Sequence, residues 1–521
     1  MFLWAFLSLF SFIFIFLAWK KFEWGLALLF LLLPTYLIRF HIGPLPSTVL
    51  EIMIWMIVGV WIIKEIRNWK LETRGNVKSK SLISNFLFLI SKNRLLTVGI
   101  ILFLIAATIS VFTSLNIRAA LGEWKTFYVE PILIFFVLMT TIRQYNDHNN
   151  FNNSNNHNNS TIVKLLNCQI VNFILFGLIL SGFITSIFAI YQHFTGFLVP
   201  HAFWANQNTY RVTGWYGFPN AVGLFLAPLI PLALYLIKDT RYKIQKTKKQ
   251  DTTINNQFEN WNLSLVSWKL FLVSCFLFIP TSLLSIIYAK STGGLIGVAA
   301  GIGVLLLLYK KTRWPAIILG LVSLVSLVSL QSLSPIKQEL TFQDRSGQIR
   351  IAMWKEATEL LKDRPILGAG LTSYTQRVVP YHKQVNGENI EIFHHQHNIF
   401  LTMWMNLGLI GVIGFILILV WFYKTGVRNW KLETRNWGKP NTPISNFQFP
   451  IPIYLLSSMT TLLVTGLVDS PYIKNDLSLF FWLLVALMAA STLQHHNNKT
   501  ILQFSRSRKS EESAKHTTIE Q

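Results

Sequence analysis

The chain has 521 residues, 52% of them hydrophobic and only 13% charged, with a formal net charge of +23. Soluble domains carry about 25% charged residues, so this balance, with a mean hydropathy of +0.43, excludes a soluble globular fold. The lysines and arginines gather in connectors between apolar runs, which points to membrane topology rather than to nucleic acid.

A bilayer core takes about 20 apolar residues per helix. Such runs fall near 2–19, 23–39, 47–65, 95–114, 127–142, 165–191, 218–238, 269–289, 292–309, 314–332, 399–422, 451–468 and 476–494. They predict an all-α polytopic integral membrane protein of about 12–13 transmembrane helices. The runs are continuous and lack the alternation of an outer-membrane barrel. The N-terminal run has neither a basic leader nor a small-residue cleavage site and reads as a first span. Cys168 and Cys275 sit in apolar runs, so two free buried thiols are expected.

Connectors 64–94, 238–269 and 423–440, with Lys310–Arg313, are crowded with Lys and Arg and mark the cytoplasmic side. The octapeptide RNWKLETR occurs at 67–74 and again at 428–435, each copy followed by ISNF (83–86 and 444–447). Eight predicted spans separate the copies, which puts both on one face. Residues 145–161, rich in Asn and His, cannot bury a core and read as a disordered cytoplasmic linker. Two sizeable loops then fall outside, 192–218 and 332–398. A structureless loop as long as the second is unusual, so a small folded helical cap is expected there.

Within that cap, Ile349, Met353, Ala357 and Leu360 recur at helical spacing and predict a helix over 346–362, with Arg350 and Trp354 on a neighbouring face. Arg364-Pro365 ends it, and Gly368-Ala369-Gly370 supplies a tight turn. No strand–GxxxxGK–helix context makes that turn a nucleotide site. In the first outer loop Arg211 precedes Gly214, Gly217 and Pro219-Asn220; at the far end of the cap, His394, His395, Gln396, His397 and Asn398 open the next span. Taken singly, Arg211 reads as a snorkelling anchor, Arg350 as a solvated cap face and His397 as a helix-entry residue.

Together these segments resemble the O-antigen ligase/polymerase family of bacterial membrane glycosyltransferases. The likeness has three parts: an outer-loop arginine before a Gly-rich turn ending in Pro-Asn, R-x-x-x-W followed by P-x-x-G-x-G, and H-x-H-N opening a helix. It covers roughly 200–420. The family's Ser-Arg-Gly turn stands here as Ser291-Thr292-Gly293, with Lys290 beside it and the arginine missing. On this likeness the chain divides into membrane helices 1–191, a catalytic region 192–422, membrane helices 423–495 and a basic cytoplasmic tail 496–521.

The resemblance implies transfer of a glycan from an undecaprenyl-diphosphate carrier to a hydroxyl on a lipid A-core, glycan or protein acceptor, at the outer face of the inner membrane. Arg211 and Arg350 would clamp the diphosphate, since guanidinium stays charged and binds phosphate in bidentate fashion. His397 would take the acceptor's proton in a direct, inverting displacement. His395, Asn398 and Trp354 would complete the substrate site, with His395 or Asn398 orienting the imidazole. Neither metal nor other cofactor is expected, nor nucleic acid; partners are the lipid-linked donor, the acceptor and membrane lipids. A zinc site on His394, His395 and His397, assisted by His382, Glu388 or Glu391, is the metal alternative. Within the family a polymerase or a protein oligosaccharyltransferase is the rival. A secondary transporter or flippase is the rival of another class, but its candidates Glu51, Glu130 and Asp469 form no paired set in the sequence.

Overall fold

The computed structural model describes residues 2–43, 45–73, 93–154, 160–206, 210–251, 259–385, 387–436 and 451–492. Each predicted apolar run falls on a helix. The N-terminal part contains α1 (Phe2–Lys20), α2 (Phe22–Leu31), α3 (Val49–Thr73) and α4 (Arg94–Phe112). Next, α5 (Ile117–Glu123) passes through a π-helical turn, Trp124–Val129, into α6 (Glu130–Ser154). The helix α7 (Ser160–Thr195) follows, and α8 (Asn220–Leu226) and α9 (Leu229–Asp251) form one span broken at Ala227-Pro228, where proline supplies no N–H. Then come α10 (Glu259–Tyr288), α11 (Thr292–Leu308) and α12 (Arg313–Ser329), the cap helix α13 (Arg345–Asp363), α14 (Ile399–Asn436), α15 (Ile451–Thr465) and α16 (Asn475–Thr492).

Among the described residues seven helical segments are long and apolar enough to cross a membrane, and five apolar helices of 10–17 residues accompany them. The helix α3 is not among them, its apolar run being interrupted by Glu51, Lys64 and Glu65. The protein is an all-α polytopic membrane protein.

Three expectations change. Arg39–Ile42 and Leu45–Thr48, read from sequence as the edges of two spans, pair as a short antiparallel hairpin, with Gly43 at φ 58° in its turn. The low-complexity stretch is not a linker throughout: its backbone prolongs α6 as far as Ser154, since each added residue extends a nucleated helix at the cost of one residue's freedom. The octapeptide copies likewise extend α3 as far as Thr73, the last described residue there, and α14 through Arg435. Cys275 is free and buried as expected; the side chain of Cys168, the ISNF copies and the tail lie outside the described residues.

The outer loop 332–398 is a folded cap. Asp344 caps α13, its carboxylate accepting from the Ser346 and Gly347 amides, and Ala357, Leu360 and Leu361 form a small core with Ala369, Tyr374, Val378 and Met405 of α14. The turn Gly368–Gly370 docks on α14: the amides of Ala369 and Gly370 donate to Met405 O at 2.7 and 3.3 Å. A Cβ on Gly368, at φ 64°, would lie 2.4 Å from that carbonyl oxygen.

Small residues set the helix spacings that matter for function. The helix α11 lies along α15 so closely that a Cβ on Gly297 would meet Thr465 Oγ1 at 2.2 Å, and one on Gly301 would meet Thr461 Oγ1 at 2.0 Å. A Cβ on Gly223 of α8 would meet Ser291 Oγ at 2.2 Å. Without a hydrophobic drive between helices in lipid, such close approach is what holds spans together. Gly301→Leu, which also runs into the Ser457 carbonyl oxygen, is expected to cost about 1–3 kcal/mol and to lower the melting temperature in detergent by several degrees. Gly303→Leu, facing open space on the same helix, should leave it unchanged; equal melting of both variants would show that the seam is not under this constraint.

Candidate active site

Three chain turns and the cap helix meet at one end of the bundle. Arg211 lies in the loop after α7, Lys290-Ser291 between α10 and α11 with Thr292-Gly293 opening α11, Arg350 on the cap helix, and Val468-Asp469 between α15 and α16; all line one cleft of about 290 Å³.

Arg211 is held by neutral oxygens. Its Nε donates to Ala289 O at 2.9 Å, and its Nη2 to Asn220 Oδ1 at 2.9 Å and Lys290 O at 3.2 Å. Arg350 is held the same way: Nε donates to Val468 O at 3.0 Å and Nη1 to Ser346 Oγ at 3.0 Å. Among the described residues neither guanidinium forms an ion pair. Burial, then the like charge of Arg350, press the Arg211 pKa down, and Glu339 on the cleft wall opposes them. Guanidinium nevertheless keeps its proton.

His397 sits at φ 47°, a left-handed backbone that costs a non-glycine residue about 1–3 kcal/mol when held. Its Nδ1 lies 3.2 Å from Asp469 Oδ1, the two side chains being 17% and 4% exposed. Asp469 also accepts the Ser470 amide at 2.8 Å and Asn220 Nδ2 at 3.1 Å. A hydrogen-bonded chain therefore runs from Arg211 through Asn220 and Asp469 to His397. Burial works to raise the Asp469 pKa, but the charge and hydrogen bond of His397, with His395 and the Ser470 amide, outweigh it and hold the carboxyl well below its usual range.

Of the predicted site residues only Arg211 and Arg350 line the cleft; His397 stands behind Asp469, which does, and the others surround this core. Trp354 Nε1 donates to Gln396 O at 2.9 Å, so the tryptophan one turn from Arg350 fixes the histidine loop. Asn398 caps α14: its Oδ1 accepts the Phe400 and Leu401 amides, and its Nδ2 donates to Leu467 O at 3.0 Å. It is therefore Asp469, not Asn398, that touches the His397 imidazole. His395 stands edge to face on His397 at 4.6 Å, with Nε2 3.9 Å from Asp469 Oδ1. His394 is exposed, His382 pairs with Glu356, and Glu388 with Arg345; among the described residues the set able to hold a metal is His395, His397 and Asp469. The Ser291-Thr292-Gly293 turn does line the cleft, with the exposed Lys290 beside it.

The sequence reading passed over Asn220 as a binding group and treated Asp469 as an unpaired span-end acid. Their one signal was a polar residue at a span end on the arginine-bearing side. Glu51 and Glu130 also have partners: Glu51 pairs with Lys125, and Trp55 Nε1 donates to Glu130 at 3.0 Å.

Residues 276–416 match the O-antigen ligase family. The resemblance read from the sequence is thus shown over the stretch from the second half of α10 to the first half of α14, which contains Arg350 and His397 but neither Arg211 nor Asp469. A Haemophilus influenzae protein named only as uncharacterized is 28% identical over 178 residues. That alignment takes in 30% of this chain and 44% of the relative, so the match spans less than half of the relative's length. The family match supports a glycosyltransferase-type enzyme in a multi-pass membrane protein.

Burial, reinforced by the neighbouring His397, pushes His395 down to about 4, against the pull of Asp469. An unfolded histidine titrates near 6.5, so between those values the unfolded chain binds a proton that the folded chain does not. Stability must then fall as pH is lowered through that window, by at most about 1.4 kcal/mol per unit; Asp469 acts only at lower pH. The melting temperature in detergent should drop between pH 7 and 4.5, and His395→Gln should flatten the slope. An unchanged slope in the variant would assign the acid sensitivity to another group.

Proposed function

We propose that the protein transfers a glycan from a polyprenyl-diphosphate carrier, in bacteria undecaprenyl diphosphate, to a hydroxyl acceptor at the extracytoplasmic face of the inner membrane. The observation that carries this reading is the pair of guanidiniums, Arg211 and Arg350, on one cleft, each fixed by neutral oxygens and, among the described residues, free of ion pairs. Two like charges held near each other repel until an anion joins them. A diphosphate is such an anion, and the charge released on its departure is what preorganised donors stabilise.

The histidine supplies the other half. With Nδ1 donating to Asp469, the neutral imidazole presents the lone pair of Nε2. That nitrogen takes the proton as the acceptor oxygen attacks the anomeric carbon. The carbon–oxygen bond to phosphate breaks, its electron pair leaves with the diphosphate, and configuration inverts. Cleavage of the donor provides the driving force, so no nucleotide is consumed. Asn220 ties the two halves together, so that the base and the cation clamp share one frame. Trp354, Asn398 and Asp469 act as positioning residues. The cleft is at the start of α11 and the basic stretch Lys310–Arg313 is at its other end; the positive-inside rule, which puts such stretches in the cytoplasm, supports an extracytoplasmic site. The acceptor is a lipid A-core, a second glycan or a protein; the first would make the enzyme a ligase, the second a polymerase.

A transport reading finds support in the pairing of the buried Glu51 with the partly exposed Lys125, because ionisable groups inside membranes often mark transport paths. Flux of the lipid-linked glycan across proteoliposomes, with no product formed, would replace the transferase reading.

Purified protein in nanodiscs, given undecaprenyl-diphosphate-linked glycan and candidate acceptors with EDTA and no ATP, should form product. His397→Ala is expected to lose about 10²–10⁴-fold in rate, and Arg211→Ala and Arg350→Ala about 10²–10³-fold each. Asp469→Asn should reduce the rate while leaving donor binding intact. Wild-type rates in a folded His397→Ala protein would remove the base assignment, and wild-type rates in both arginine variants would remove the cleft as the donor site.

A further inference from the structure

Proton abstraction needs one base and one orienting carboxylate, yet two imidazoles converge on Asp469. His397 Nδ1 and His395 Nε2 approach the same oxygen, Asp469 Oδ1, at 3.2 and 3.9 Å. One ligand atom from each of the three residues lies within 4.8 Å of the other two. Zinc holds nitrogen and oxygen ligands at about 2.0–2.2 Å, so tetrahedral ligand atoms stand about 3.3–3.5 Å apart. The edge between His397 and Asp469 already has nearly that length, and the longer edges close with shifts of about 1 Å at the two imidazoles. Asp469 is oriented independently by the Ser470 amide and Asn220 Nδ2, the kind of outer hydrogen bonding that steadies a ligating carboxylate. Two imidazoles and one carboxylate suit zinc and its transition-metal neighbours, whereas calcium and magnesium take oxygen ligands. Asp469 lines the cleft, which leaves a fourth coordination position to water.

We propose that His395, His397 and Asp469 form a zinc-class metal site whose occupancy switches off glycan transfer. The switch follows from which nitrogen the metal takes. Metal on His397 Nδ1 leaves the neutral imidazole's proton on Nε2, so the nitrogen that would accept the acceptor's proton is already occupied. Lys474 beside Asp469 and the two cleft arginines oppose an incoming dication, so binding is moderate and reversed by a chelator. Metal binding stands on the geometry alone; inhibition rests on the transferase reading above.

Full-length protein in detergent, stripped with EDTA and dialysed against zinc chloride, is expected to bind one equivalent, and cobalt(II) in its place should give the visible bands of a tetrahedral site. His395→Ala and Asp469→Asn, each checked for folding by thermal unfolding, should weaken binding at least tenfold. His382→Ala, whose imidazole pairs with Glu356 elsewhere in the cap, should bind as wild type does. No stoichiometric zinc, or undiminished binding in His395→Ala, overturns the site. In the transfer assay, zinc should slow the wild type at least tenfold and EDTA restore it. His395→Ala, measured against its own zinc-free rate, should be at least tenfold less sensitive. Zinc held by the trio with transfer unaffected overturns the switch. If the wild type forms no product under any condition, the transferase reading and the switch fall together, and the dialysis alone decides the metal site.

Discussion

A buried carboxylate must be compensated or it neutralises itself, and the compensation of Asp469 organises this protein's outer end. Leaving a charge out of water costs several kcal/mol unless hydrogen bonds and an opposite charge replace the solvent. Here His397, Asn220 and the Ser470 amide replace it. The three residues before it serve the same assembly with their carbonyl groups: Gly466 O accepts the Ile399 amide at 2.7 Å, Leu467 O accepts Asn398 Nδ2, and Val468 O accepts Arg350 Nε. Four consecutive residues of one turn thus tie down the start of α14, its cap, the cap-helix arginine and the histidine.

The choice of neutral acceptors for both arginines has an electrostatic consequence. A carboxylate partner would have fixed each guanidinium equally well, but it would also have cancelled the charge. Carbonyl, amide and hydroxyl oxygens fix orientation and leave the charge available to a ligand. Of the carboxylates on the cleft, Asp469 is engaged by His397 and Asp344 by the amides that open α13, while Glu339 pairs with neither arginine among the described residues. Base and cation clamp therefore share a frame in which Asn220 separates guanidinium from carboxylate, its amide facing each with the complementary group.

Much of the fold was legible because hydropathy and period are local properties. The apolar runs became helices, the 3.6-residue pattern located the cap helix within one residue at each end, and the glycines at 368 and 370 took the positive φ their turn demands. The arginines and His397 were legible only through their company with one another. Asp469 was not, because it is 72 residues from His397 and no local pattern distinguishes it from any span-end acid. Asn398 was read as a possible partner of the imidazole and instead caps its own helix, a role that any asparagine at a helix start competes to fill. The hairpin at 39–48 was hidden by the apolar runs on either side, and the break at Gly408, φ 68°, by the apolar run around it.

The accuracy of the site lies outside the polar residues. Arg211 grips the carbonyls of Ala289 and Lys290, and Asp469 belongs to a different turn, so their separation depends on how closely α11 and α15 approach. That distance is set by Gly297 and Gly301 against Thr465 and Thr461, and the lateral position of α8 by Gly223 against Ser291. A side chain at any of these positions would push one turn away from the other and stretch the bridge through Asn220, with every catalytic candidate still in place. In lipid, where apolar surface gains nothing by leaving its surroundings, these glycine contacts are the means by which helices can be held at one spacing. The chemistry of the cleft is therefore placed in part by three glycines, Gly223, Gly297 and Gly301, that do not line it.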